Sequence, residues 1–67
     1  MANIFGRQLP TYRLYVDAEP ASDAQFETDA DAISTVSELF ENERTIKSAL
    51  LTKLIDGEEM TIKEFKR

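Results

Sequence analysis

The 67-residue chain contains no cysteine, no histidine and no tryptophan, and has only two glycines and two prolines. Without cysteine it has no disulfide, thiol nucleophile or Cys/His zinc site. Without histidine it has no imidazole base, so acid–base chemistry would rest on carboxylates alone. A secreted domain this small often needs covalent staples, so the expectation is a protein of the reducing cytoplasm. Gly6 and Gly57 cannot form a phosphate-cradling loop, which needs several glycines for close backbone approach, and no cofactor is expected. Long apolar runs are missing too. No stretch nears the roughly 20 apolar residues of a membrane span, and Met1 to Pro10 carries Arg7 among scattered apolar residues, without a signal-peptide core.

What is present reads as one small domain over residues 1–67, with residues 1–10 as a candidate flexible N-terminal arm. A chain of this length buries only about 60% of the surface its unfolded form exposes. An active-site cleft of several hundred cubic ångströms would consume much of that interior, so a surface function fits better than small-molecule catalysis, and no enzyme is expected. Phe5 has two readings, a plug at the end of the core or a surface residue awaiting a partner.

Thr11 to Ala18 alternates, with Tyr12, Leu14 and Val16 on one side and Arg13, Tyr15 and Asp17 on the other, the period of a half-buried strand. Glu19 to Asp23 carries turn chemistry around Pro20, which predicts a reversal there and a short second strand over Ala24 to Thr28 anchored by Phe26. Thr28-Asp29-Ala30-Asp31 has the form of a capped helix start. Ala32, Ile33, Val36, Leu39 and Phe40 then recur at helical spacing toward an end near Asn42. Thr45 to Asp56 fits both periods: Ile46, Leu50 and Leu54 suit a helix face, and Ile46, Ser48, Leu50, Thr52 and Leu54 alternate as a strand. The strand is preferred because Glu59 to Lys66 also reads as a strand and needs a close partner. The expected fold is therefore α+β, a small antiparallel sheet with one helix packed on one face, in the order ββαββ, with ββααβ as the alternative. Met60 and Ile62 should face the helix with Leu14, Val16 and Phe26. A two-residue turn at Asp56-Gly57 would place Leu51 beside Ile62 in the core, whereas a three-residue turn would place Leu50 and Leu54 there instead. A single helix would leave Tyr15, Phe65 and spare leucines on the other face.

Charge is the sharpest feature. Thirteen acidic against eight basic residues give a formal charge of −5, and no basic residue lies between Arg13 and Arg44. That stretch holds Asp17, Glu19, Asp23, Glu27, Asp29, Asp31, Glu38, Glu41 and Glu43, so one end of the fold should carry a negative field. Asp29 and Asp31 read as helix-start residues, and Glu58 and Glu59 as solvated turn residues, rather than as acid–base pairs. Asp23 to Asp31 lacks the ligand spacing of a calcium loop, so no catalytic or metal residue is assigned. Arg13 beside Tyr15 has the basic-plus-aromatic character that stacks single-stranded nucleic acid, but the net charge opposes a polyanion.

The bland reading of the acidic stretch is a solubilising surface. The functional reading is recognition of a protein partner with a basic surface, through Asp17, Glu19, Asp23, Glu27, Asp29, Asp31, Glu38 and Glu41, with Tyr15 and Phe65 as apolar contacts. In size and charge layout the chain resembles small acidic phage-type modulators, whose carboxylates imitate the phosphates expected by a host nucleic-acid-handling enzyme. That resemblance implies a non-enzymatic inhibitor or modulator from a phage or mobile element, acting in the host cytoplasm. The competing expectation is a structural, self-assembling subunit, a homodimer using the open sheet face. Neither reading involves a membrane.

Overall fold

The computed structural model describes residues 9–67 and contains a four-stranded antiparallel sheet with one helix across one face. The strands are β1 (Thr11–Val16), β2 (Glu19–Gln25), β3 (Ser48–Ile55) and β4 (Glu58–Lys66), and the helix α1 (Asp29–Asn42) lies between β2 and β3 in the chain. Their order across the sheet is β2-β1-β3-β4. This is the ββαββ arrangement, and the ambiguous 45–56 segment is largely strand. Phe5 and the first eight positions of the expected arm lie outside the described residues. Leu9 and Pro10 are half-buried, and the Leu9 carbonyl accepts from Gln25 Nε2 at 3.5 Å.

The first reversal comes earlier than Pro20. Val16 pairs with Glu19, so Asp17-Ala18 makes a two-residue turn with φ of 52° and 71°. Positive φ at both turn residues matches the right-handed twist of the flanking strands. Asp17 tolerates this conformation because its carboxylate is put to use. Its Oδ1 accepts from the backbone N–H groups of Lys47 and Ser48 at 2.9 and 3.0 Å, pinning the start of β3 to the turn. The stretch expected to be a turn is instead strand β2, exposed throughout. Pro20 is accommodated because it sits on an edge strand beside a bulge, where Ala21 is the extra residue and a missing N–H costs little. Phe26 follows β2 and packs edge-on against Tyr12, with ring centroids 5.6 Å apart.

Helix α1 starts as its sequence predicts. Thr28 is the N-cap, its hydroxyl accepting from the Asp31 N–H at 3.1 Å, and Asp29 and Asp31 occupy the first turn. The C-terminal turn contains no basic residue. Arg67 supplies the cation from the far end of β4, donating from Nη2 to the carbonyls of Phe40 and Glu43 and from Nε to that of Ile46, while its guanidinium lies 4.0 Å from the centre of the Phe40 ring. A cation at the negative end of the helix dipole is favourable.

The core consists of Tyr12, Ala32, Val36, Phe40, Ala49 and Leu51, with Leu14, Phe26, Ile33, Ile46, Ile62 and Phe65 packed against it. The β3–β4 hairpin uses a two-residue turn, Asp56-Gly57, and Ile62 reaches the core beside Leu51. A bulge at Ile62 then shifts the register, so that Lys63 pairs with Leu51 and Phe65 with Ala49. This corrects the placement of Phe65. The extra residue reverses the alternation and turns Phe65 toward the helix, where its ring lies 5.7 Å from that of Phe40. Met60 shares the helix-side face but pairs with Lys53 near the start of the helix, and it remains 51% exposed.

Candidate functional site

The helix packs chiefly on β3 and β4, so the β2–β1 half of the same sheet face is incompletely covered. The result is a groove of about 180 Å³ between α1 and β2. Its floor comes from Leu14 on β1 and from Ser22 and Ala24, which the register places opposite Leu14 and Tyr12. Thr35, Val36 and Leu39 form the helical wall, and Phe26 closes the end near the helix start. Small side chains on β2 are what leave the space. Leu39, part of the expected apolar stripe, is 36% exposed because it borders this groove rather than the core.

Acidic residues border the groove. At 3.6 residues per turn, Asp31 and Glu38 lie beside Thr35 on the outward side of the helical wall, and both are exposed. Glu19 pairs with Val16 and so lies on the helix-side face at the start of β2, and Glu27 follows Phe26 in the connection to the helix. Glu41 projects from the outer helix face.

Three further acids of the stretch serve the fold. Asp17 holds the start of β3. Asp23 is on the opposite sheet face, paired with Arg13 at 2.9 and 3.2 Å, and that guanidinium holds its carboxyl below the usual range. Asp29 accepts a hydrogen bond from the Tyr12 hydroxyl and another from Lys53 Nζ at 3.1 Å, and these two donors lower its pKa. Lys53 is held above its ordinary value by Asp29, and burial followed by the Asp29 bond raises Tyr12. The nine acids therefore do not form one patch. Asp17, Glu19, Glu41 and Glu43 lie toward one end of the fold and Glu27, Asp29 and Asp31 toward the other, which replaces the expected single negative end.

The sheet face opposite the helix carries Arg13, Tyr15, Leu50, Thr52 and Leu54. A polar network occupies its middle. Glu59 Oε2 accepts from the Tyr15 hydroxyl at 2.5 Å and the Thr52 hydroxyl at 2.6 Å, and Glu59 Oε1 lies 4.0 Å from Arg13. Thr52 is only 3% exposed, and its hydroxyl together with that of Tyr15 lowers the Glu59 pKa. Tyr15 is half-buried and its hydroxyl is raised by the bond to Glu59. The basic-plus-aromatic pair read from the sequence is thus engaged within the molecule, and Glu59, read as a solvated turn residue, is its anchor.

The fold and this site define a small sheet-and-helix domain with an apolar groove edged by carboxylates. No protein-family model matches the chain, and no curated protein or solved structure matches it. Among the described residues, no three His, Cys, Asp or Glu side chains are grouped to hold a metal ion, and no helix is long and apolar enough to cross a membrane.

Proposed function

We propose that the chain is a non-enzymatic protein-binding module that docks by its β2–α1 side on a basic surface of a partner. In this reading it is a phage or mobile-element modulator of a host nucleic-acid-handling protein such as a polymerase or nuclease. The observation that carries the reading is segregation. The run from Leu14 to Glu43, which spans β2 and α1, contains no basic residue, while Glu19, Glu38 and Glu41 stand exposed on it. Carboxylates spread over a rigid surface speed encounter with a basic partner and repel nucleic acid from the same surface. Their influence reaches about 8–10 Å at physiological salt, so it is strongest at low ionic strength.

The test is capture from a bacterial lysate with the tagged protein and with a variant carrying Glu19→Lys, Glu38→Lys and Glu41→Lys, which takes the formal charge from −5 to +1. The expected result is a basic nucleic-acid-binding protein held by the unmodified chain at low salt, shed at high salt and lost by the variant. Recovery of the same partner by both proteins, or binding indifferent to salt, would sink the proposal.

A further inference from the structure

The geometry points to a specific occupant of the groove between α1 and β2: one bulky apolar side chain, phenylalanine-sized, presented by a Lys/Arg-rich segment of the partner. This inference rests on the protein-binding reading above and adds a recognition element to it. The groove is lined mainly by apolar atoms, chiefly from Leu14, Ala24, Phe26, Val36 and Leu39, and it presents no cation to hold a phosphate. Its size selects the anchor. An apolar cavity of about 150 Å³ accepts a benzene ring, and this groove, at about 180 Å³, is open enough for a ring to enter on its side chain. Charge selects what flanks the anchor. Asp31 and Glu38 on the helical side and Glu19 on the β2 side would meet residues on either side of an inserted ring, and no lysine or arginine occurs in β2 or α1 to repel a basic segment. An acidic or neutral apolar segment would gain the ring contact but not the charge match.

The arrangement also separates two contributions to binding. Carboxylates govern the encounter and its salt dependence, whereas the ring governs how long the complex lasts. A buried aromatic anchor within a polar rim is the usual form of an interface hot spot.

Two synthetic nonapeptides of lysine and arginine, one with a central Phe and one with Ala in its place, would test this by titration followed through the methyl resonances of Leu14, Val36 and Leu39. The Phe peptide should bind about tenfold to a hundredfold more tightly and shift those methyls, while both peptides weaken as salt rises. Ala24→Leu, which fills the floor, should abolish the difference between the peptides and leave their salt dependence. Thr35→Phe fills the groove from an exposed helix position and serves the same purpose if the first variant does not fold. Equal binding of the two peptides, or a preference that survives filling, would overturn the groove assignment and leave the electrostatic reading standing. Binding of neither peptide at low salt would overturn both. A concentration-dependent dimer broken by Ala24→Leu would place a second copy of the chain in the groove and equally overturn the assignment.

Discussion

Leu51→Ala should be among the most damaging single substitutions in this molecule, and Leu50→Ala one of the mildest among its large apolar residues. The two leucines are neighbours of identical composition, but the β3 register sends Leu51 between Leu14 and the β4 bulge, 1% exposed, and turns Leu50 to the half-covered opposite face beside Tyr15. Truncating a fully buried leucine costs about 2–5 kcal/mol, combining lost transfer free energy with the cavity left behind. A chain of this length has roughly 3–10 kcal/mol of stability in total, so Leu51→Ala should leave little of it. With a urea slope near 1 kcal/mol/M for a small domain, the midpoint should fall by about 2–5 M or the transition should disappear. Leu51→Met preserves volume and should cost less than about 1.5 kcal/mol, confirming that the site tolerates an apolar side chain of that size. Leu50→Ala should cost about 1 kcal/mol or less, since it opens no enclosed cavity. Urea denaturation followed by far-ultraviolet circular dichroism measures all three. A Leu50→Ala loss equal to or larger than that of Leu51→Ala would refute the register and the core built on it.

The two hairpin turns make a matched pair, because Ala18 has a φ of 71° where Gly57 has one of 82°. Ala18→Gly should stabilise by up to about 1 kcal/mol, the relief of a left-handed alanine less the entropy cost of glycine. Gly57→Ala should destabilise by a similar amount, purely through the backbone, since an added Cβ there meets no atom within 4 Å. Opposite signs in a single thermal-melt comparison are the expected outcome, and equal signs would contradict the turn geometry. Acid should weaken the fold through Asp23, Asp29 and Glu59, all held below their ordinary values by hydrogen-bond donors. A lowered folded pKa contributes stability above the unfolded value, near pH 4, and that contribution is lost as pH falls through the folded value. Urea midpoints should therefore drop below about pH 4, more gently in Glu59→Gln than in the unmodified protein. Parallel acid profiles for the two would show that the Glu59 bonds contribute nothing.

Much of the fold was legible wherever one periodicity dominated. Tyr12, Leu14 and Val16 alternate because they share the helix-side face of β1, where Tyr12 is buried, and Thr28 with Asp31 marks the helix start through its own side-chain bond. The hairpin partner required by β4 also decided correctly between strand and helix for β3. The misreadings have a common origin in the edge strands. β2 is exposed at every position and built from turn-favouring residues, so nothing in Glu19 to Asp23 marks a strand except its pairing to β1. Phe65 departs from strict alternation because the bulge at Ile62 intervenes. The spacing of Met60, Ile62 and Phe65, two and then three, carries the bulge. The groove and the Glu59 network have weaker signatures. The first depends on small residues facing each other across a gap, and the second on Tyr15 reaching diagonally to a residue 44 positions away.

Both outer strands of the sheet are interrupted, β2 by Pro20 and its bulge and β4 by the bulge at Ile62. An open strand edge is a template on which another chain can crystallise its own backbone, and long regular edges are how small sheet proteins turn into fibres. Here each border offers only a few regular positions before its twist changes, and β4 adds Glu58, Lys63, Glu64 and Lys66 along its length. Crowding many copies together therefore gives the ladder no straight path to lengthen. A sheet guarded in this way can be concentrated without polymerising, and it leaves its faces rather than its borders free for contact.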